Sequence, residues 1–183
     1  MLILASASAA RQELLRDAGF AFQVVPARVR ELRGRGRSLE ETVLENARRK
    51  AAAVSRRFSD RWVLAADTMI EFEGRLHGKP RDRRDGIELL SRMAGQTHLL
   101  ATGLVFRRGE RSIERVAKSR VTLRRLSFER IAELVRDPER YAGGYAVVER
   151  NDPLVERIEG SYSNVVGLPM EVVRPLLETR LRG

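Results

Sequence analysis

Short apolar runs of strand length alternate with helix-like stretches along this chain, and this alternation restricts the possible fold more than any other feature. Residues 2–5 and 62–66 are apolar runs, and helix-like sequence follows the first and precedes the second. Such alternation predicts an α/β domain. Two long strand-like segments, residues 99–107 and 113–123, flank Arg108-Gly109, which predicts an antiparallel hairpin. The predicted fold class is therefore α/β (mixed α+β), with an extended mixed sheet and flanking helices instead of a purely parallel sheet.

All predicted elements fit into one domain that spans residues 1–183. Strands are expected at residues 2–5, 20–25, 62–66, 69–72, 99–107, 113–123, 145–148 and 154–158. Helices are expected at residues 11–18, 38–57, 82–93, 127–136 and 169–181. Residues 26–37 are polar and contain glycine, which is typical of a mobile loop.

The amino-acid composition argues against several kinds of functional site and cellular location. The chain has no cysteine, which excludes disulfides, thiolate metal sites and cysteine nucleophiles. Its two histidines, His77 and His98, cannot by themselves build a zinc site. No apolar run reaches the roughly 18 residues of a transmembrane helix, and the first residues lack the pattern of a signal peptide. We therefore expect a cytoplasmic protein with no membrane partner.

The choice between lysine and arginine says more about function than the net charge of +10 does. The charge favours an anionic partner, although an arginine-rich composition with solvated side chains explains it equally well. Lysine occurs only at Lys50, Lys79 and Lys118, and all other basic residues are arginine. A lysine that persists in such a chain is expected where a compact ammonium fits and a planar guanidinium does not, as in a tight phosphate site.

Three segments contain residue types that suit phosphate chemistry. Ser6, Ser8 and Arg11 join a predicted strand to a helix, where hydroxyls, a guanidinium and free N–H groups can cradle an anion. Asp67 follows an apolar strand, as metal ligands and general bases often do. Lys79 lies between a glycine and a proline that would hold it in place. A serine cap, a strand-end cap and an exposed turn are the structural alternatives.

Other features are weaker when taken alone. Lys50 would normally be read as part of a solvated helix face, and Glu31 as half of a surface ion pair. Residues 159–169 contain glycines and small polar side chains, which suit either a ligand loop or a structural turn. The aromatic residues do not interleave with a basic patch, which disfavours base stacking on nucleic acid.

Taken together, the segments resemble the Maf family of nucleotide pyrophosphatases. The resemblance covers nearly the whole chain, in the order LASASAARQELL, Glu31, ENARRKA, LAADT, GKPRDR, LSRMAGQTH, AGGYAV and EGSYSNVVGLP. Each motif is weak alone, but the ordered set is highly specific. It implies a Maf/ITPase-like fold with two lobes around a cleft, in a cytoplasmic enzyme that is often a homodimer. The implied reaction is hydrolysis of nucleoside triphosphates to the monophosphate and pyrophosphate with a divalent metal cation, Mg or Mn.

The resemblance also implies substrate-binding residues. Ser6, Ser8 and Arg11 match the family's phosphate-side motif, Glu31 matches the acid after the second strand, and Thr68 matches a position associated with substrate choice.

The implied catalytic residues are Asp67, Lys50 and Lys79. Asp67 matches the family's proton acceptor, and the two lysines match its motif lysines. We expect water to attack the α-phosphorus while Asp67 acts as general base or, with Glu31, binds the metal. The lysines and Arg11 would neutralise the triphosphate as charge moves to the leaving group.

Two departures from the family pattern affect the expected base preference. Ala9-Ala10 stands where the family usually has Pro-Arg, and Val148 stands where it commonly has Gln. Asp67-Thr68 resembles the branch that acts on dTTP and UTP, so these or modified pyrimidine nucleotides are the expected substrates.

Two other function classes remain open at the level of sequence. A non-catalytic nucleotide sensor on the same fold would bind a triphosphate and leave it intact. A nucleic-acid-binding module would use residues 28–37 with Arg56, Arg57 and Arg61, and its affinity would fall steeply with salt.

Overall fold

The computed structural model describes residues 1–34, 36–135 and 153–181. Its strands are β1 (Leu2–Leu4), β2 (Phe22–Val24), β3 (Val63–Phe72), β4 (Arg75–His77), β5 (Thr97–Arg108), β6 (Arg111–Leu123) and β7 (Val155–Glu159). Its helices are α1 (Ala9–Asp17), α2 (Leu39–Ser55), α3 (Arg83–Met93), α4 (Phe128–Leu134), α5 (Tyr162–Val166) and α6 (Met170–Leu181).

The strands form one mixed sheet in the order β2-β1-β3-β5-β6-β7, and β4 pairs with β3 off this path. β2, β1 and β3 are parallel, whereas the pairs β3-β5, β5-β6 and β6-β7 are antiparallel. The predicted mixed sheet with flanking helices is confirmed. The long predicted hairpin is β5-β6, and its turn is Gly109-Glu110 because Arg108 pairs with Arg111.

β3 is one continuous strand, where the sequence predicted two strands separated by Asp67-Thr68. Its pairing with β5 runs without a break from Val63 to Glu71. On the other edge, the first residues of β3 pair with β1 and the last residues pair with β4. The predicted break was wrong. The polar residues Asp67-Thr68 face a gap between β1 and β4 on one edge of β3, while the strand itself continues. Asp67 therefore lies in the middle of a strand and not at its carboxyl end.

Helices cover both faces of the sheet, since successive side chains of a strand point to opposite faces. α2 packs on the face of Ala65 and Val105. A Cβ on Gly103 would lie 2.5 Å from the backbone of Val43, so glycine there lets α2 approach β5 closely. On the opposite face, α1 and α6 pack near one end of β3, and α3 and α4 pack near the other end.

Side-chain caps set where several helices begin. Ser38 and Glu41 form the predicted capping box of α2, and Ser127 caps α4 as expected. α1 begins at Ala9, two residues before the expected start, because Ser8 is its N-cap. Asp82 caps α3.

The short helix α5 was not predicted, because its five residues offer little more than one turn of periodicity. The predicted strand at residues 145–148, the AGGYAV motif and Val148 lie outside the described residues. In the part of the chain that the structure describes, no helix combines the length and apolar character needed to cross a membrane.

Candidate active site

A cleft of about 1020 Å³ opens beside the gap in the pairing of β3. Among the described strands, neither β1 nor β4 pairs with residues 65–69 on this edge. The β1-α1 junction forms one wall, and the segment from β4 to α3 forms the opposite wall. All of the predicted catalytic, substrate-binding and metal-binding residues line this cleft, namely Ser6, Ser8, Arg11, Glu31, Lys50, Asp67, Thr68 and Lys79, whereas residues 159–169, the other candidate ligand loop, do not. The folded chain therefore brings together residues that are far apart in sequence.

Asp67 lies at the floor of the cleft and is only 4% exposed. Lys50 of α2 donates from Nζ to Asp67 Oδ1 at 2.6 Å and also pairs with Glu31 Oε1 at 2.6 Å. A longer bond of 3.4 Å runs from the same Nζ to the carbonyl of Ala66. The three protons of the ammonium thus have three acceptors, and Lys50 holds the two carboxylates on either side of it.

Asn46, which was not singled out from the sequence, makes the second contact to Asp67. Its Nδ2 donates to Asp67 Oδ2 at 2.9 Å. Asn46 and Lys50 are four residues apart on α2 and so share one face of the helix. This spacing could have identified Asn46 from the sequence, because a helix that places Lys50 beside a carboxylate places residue 46 on the same side. Each oxygen of Asp67 has one protein donor, which leaves lone pairs for a proton or a cation.

Arg11 is buried and bonds to β3, to the β1-α1 junction and to the residue that follows α5. Nε donates to the carbonyl of Gly167 at 2.8 Å, and Nη1 donates to Ser6 Oγ and the carbonyl of Ala66. Nη2 donates to Thr68 Oγ1 at 3.0 Å. Four of its five N–H groups are thereby used. Arg11 adds positive charge at the edge of the cleft, but it does not present its guanidinium fork to a ligand.

Burial lowers the pKa of Arg11 from its ordinary value, while the charges of Asp67 and Glu31 oppose that shift. The position of Thr68 is fixed by a second contact, because its hydroxyl lies 2.8 Å from that of Thr102. Thr102 is fully buried opposite Thr68 on β5. Sequence analysis missed it, since only the register of β3 against β5 makes the two residues neighbours.

The β1-α1 junction combines a helix start with two hydroxyls at the cleft. Ser8 caps α1 by accepting a hydrogen bond from the backbone N–H of Arg11, and Ser6 Oγ accepts from the backbone N–H of Ser8 at 3.2 Å. On the opposite wall, Lys79 is exposed beside the buried Pro80. An anion in the cleft would lie between the positive end of α1 and the ammonium of Lys79.

Of the two histidines, His77 lines the cleft and His98 does not. His98 is buried on β5, and burial lowers its pKa to about 4, so it is neutral at pH 7. His77 lies on β4 at the margin of the cleft, and burial together with Arg92 lowers its pKa.

The donor set restricts how a metal could bind. Within residues 1–34, 36–135 and 153–181, no group of three or more His, Asp or Glu side chains is arranged to hold a metal ion. Asp67 and Glu31 offer two carboxylates near one another through Lys50. Mg²⁺ characteristically binds to one or two carboxylates and completes its shell with water and substrate phosphates. The residues present therefore fit a metal that arrives with a phosphate ligand, and they do not fit a protein-only cage.

Chemically, the cleft pairs a buried carboxylate with cations and helix-start N–H groups. The carboxylate can accept a proton from water, and the positive groups can stabilise charge on a phosphate. This combination suits hydrolysis of a phosphoanhydride more than the recognition of a long polyanion. Of the arginines considered for nucleic acid, Arg30 and Arg33 line this cleft, whereas Arg56, Arg57 and Arg61 do not.

Comparisons with known proteins found a matching family model, similar sequences and a similar solved structure. A model of the family described as "Maf-like protein" matches residues 1–180. A protein from Geotalea uraniireducens named dTTP/UTP pyrophosphatase is 40% identical over 180 residues, which are 96% of this chain and 93% of that protein. One of the same name from Myxococcus xanthus is 39% identical over 180 residues, covering 97% of this chain and 91% of that protein. A solved HAM1 protein from Coxiella burnetii has a TM-score of 0.45 at 16% identity, covering 84% of this chain and 80% of that one.

Proposed function

This chain belongs to the Maf-like protein family, and from that premise we propose that it hydrolyses nucleoside triphosphates to the monophosphate and pyrophosphate, with dTTP and UTP as its substrates. The names of its relatives support this reaction and these nucleotides. The triphosphate binds in the cleft beside β3. Water attacks the α-phosphorus, the bond to the β-phosphate breaks, and pyrophosphate leaves.

The observation that carries this proposal is the environment of Asp67. A carboxylate that is 4% exposed has a cation at 2.6 Å on one oxygen and an amide at 2.9 Å on the other. Each oxygen keeps a lone pair that these donors do not use, so the group can accept a proton from a water molecule in the cleft. A buried aspartate that served only the fold would not need to face a cavity of this size.

Asp67 and Glu31 would hold a divalent cation such as Mg²⁺ or Mn²⁺. When bound with the substrate, the cation would supply charge stabilisation at the phosphate oxygens. The chain's own residues have separate tasks. Lys50 orients both carboxylates, Lys79 neutralises the departing pyrophosphate, and the N–H groups at the start of α1 with Ser6 and Ser8 orient the triphosphate.

The preference for a pyrimidine base rests on the resemblance of Asp67-Thr68 to the branch that acts on dTTP and UTP, and on the names of the relatives. Thr68 lines the cleft and is held by Arg11 and Thr102, so its side chain has one fixed orientation.

Replacing Lys79 with arginine tests whether an ammonium is needed in that place. Lys79→Arg keeps the charge but presents a wider planar group with a different hydration and hydrogen-bond geometry. We expect kcat/KM for UTP to fall about tenfold or more, because small misplacements at a reacting phosphate are costly. Steady-state release of pyrophosphate measures the effect.

The matched control is Lys118→Arg. Lys118 makes an exposed ion pair with Glu40 at 2.9 Å on the far part of the sheet, and such pairs contribute little. Its activity should stay within about twofold of the wild type, since an exposed pair is worth under about 1 kcal/mol. Equal activity of Lys79→Arg and Lys118→Arg would show that the retained lysine at position 79 has no special function.

The function itself is tested with a panel of nucleoside triphosphates. The full chain is incubated with dTTP, UTP, CTP, dCTP, ATP, GTP and methylated pyrimidine nucleotides, with and without Mg²⁺ or Mn²⁺, and both products are quantified. We expect equimolar monophosphate and pyrophosphate, fastest from dTTP and UTP, and only with metal. If a triphosphate binds tightly and stays intact, the protein is a nucleotide sensor and not a hydrolase. Affinity for nucleic acid without turnover would support a nucleic-acid-binding module.

A further inference from the structure

Asn46 connects three parts of the cleft that are separate in sequence. Its side chain is 1% exposed on α2. Oδ1 accepts a hydrogen bond from the backbone N–H of Leu32 at 2.7 Å, and Nδ2 donates to the carbonyl of Leu32 at 3.1 Å and to Asp67 Oδ2 at 2.9 Å. Both protons of the amide and its oxygen are used, so the group is fully satisfied.

We infer that Asn46 is a positioning residue, which ties the loop that carries Glu31 to Asp67 and fixes the orientation of both carboxylates. Leu32 follows Glu31 directly, and residues 26–34 contain no helix or strand. Among the described residues, the polar contacts between this part of the loop and α2 are the ion pair of Glu31 with Lys50 and the two hydrogen bonds between Leu32 and Asn46. The amide bonds to both backbone groups of one residue, the N–H and the carbonyl of Leu32, as a residue of a neighbouring antiparallel strand would.

The same amide fixes which way Asp67 faces. Lys50 alone would hold one oxygen of Asp67 and leave the carboxylate free to rotate about that contact. With Asn46 on the second oxygen, the plane of the carboxylate is set, and its remaining lone pairs point in defined directions. A residue that acts on the reacting group through a hydrogen bond characteristically changes activity by about 10- to 100-fold when it is removed.

A loop measurement tests the tether without any assay of activity. Residues 26–34 contain three arginines, so native-state digestion with trypsin followed by mass spectrometry reports how often the loop opens. Asn46→Leu keeps the size of the side chain and removes all three bonds. We expect cleavage after Arg28, Arg30 or Arg33 to become about tenfold faster, since two or more hydrogen bonds are lost.

The matched control is Asn164→Leu. Asn164 is a second fully buried asparagine, which bonds to Ser119 and lies away from the cleft. If cleavage of the loop is equally fast in the wild type and in Asn46→Leu, or is accelerated as much by Asn164→Leu, the tether does not exist. Specific acceleration by Asn46→Leu supports it, even if the wild type releases no pyrophosphate.

A comparison of kcat with KM tests the link to Asp67, and this part rests on the proposed function. Asn46→Leu removes the donor to Asp67 Oδ2 and leaves in place the groups that would hold the triphosphate. We expect kcat for UTP to fall about 10- to 100-fold while KM changes little. Asn164→Leu should leave kcat close to that of the wild type. An unchanged kcat in an Asn46→Leu protein that still folds would overturn the assignment.

Discussion

Asp67→Asn is expected to lower kcat for UTP or dTTP by roughly 10²-fold or more, because an amide of the same size cannot accept the proton of the attacking water. The variant should still fold. Lys50 keeps Glu31 and the carbonyl of Ala66 as acceptors, so no buried charge is left without a partner. Steady-state pyrophosphate release, with thermal unfolding measured on the same samples, separates loss of chemistry from loss of structure.

The control for this substitution is Asp60→Asn. Asp60 is exposed in the turn before β3 and does not line the cleft, so its activity should match that of the wild type. Turnover by Asp67→Asn at the wild-type rate would reject Asp67 as the catalytic carboxylate.

The metal dependence of the residual activity then distinguishes the two roles open to Asp67. If Asp67 holds the cation, Asp67→Asn raises the Mg²⁺ concentration for half-maximal rate, and excess metal restores part of the activity. If Asp67 takes the proton, the half-maximal concentration stays the same and the plateau is lower.

Lys50→Met is expected to have the largest effect on stability, about 3 kcal/mol in the free energy of unfolding. Lys50 and Asp67 are both buried, and removing the ammonium leaves a buried carboxylate with one amide donor and without its ion-pair partner. Urea denaturation at constant pH measures the loss. Activity should fall as well, since Glu31 also loses its ion pair with Lys50.

Lys118→Met provides the comparison for a lysine in an exposed ion pair, and it should cost under about 1 kcal/mol. The double variant Lys50→Met, Asp67→Asn should be more stable than Lys50→Met, because the charge that was left without its partner is also removed. A double variant less stable than either single variant would contradict the description of Lys50 and Asp67 as a mutually compensating pair.

Much of the fold could be predicted from local sequence, because caps and alternation are local signals. Ser38 with Glu41 and Ser127 marked helix starts that the structure confirms. β3 shows where local reasoning stops. Whether Asp67-Thr68 ends a strand or faces a gap depends on where β1 and β4 end on the neighbouring edge, and a single segment contains no information on that pairing.

The sequence predicted which residues form the candidate site better than it predicted their contacts. The candidate residues lie in short motifs, and all of them line one cleft. The acceptors of Arg11 were not predictable, because Gly167 is 156 positions away along the chain. Asn46 could have been predicted as a site residue, since it precedes Lys50 by one helical turn. Thr102 was not, because its contact with Thr68 exists only through the register of two strands.

Hydrolysis of UTP in ¹⁸O-enriched water tests the central claim most directly, namely that the cleft beside β3 directs water to the α-phosphorus. Mass spectrometry of the products from the wild-type protein should find one ¹⁸O atom in UMP and none in pyrophosphate. Label in pyrophosphate would show attack on the β-phosphorus, and formation of UDP and orthophosphate would show cleavage of a different bond. Either result would contradict the account.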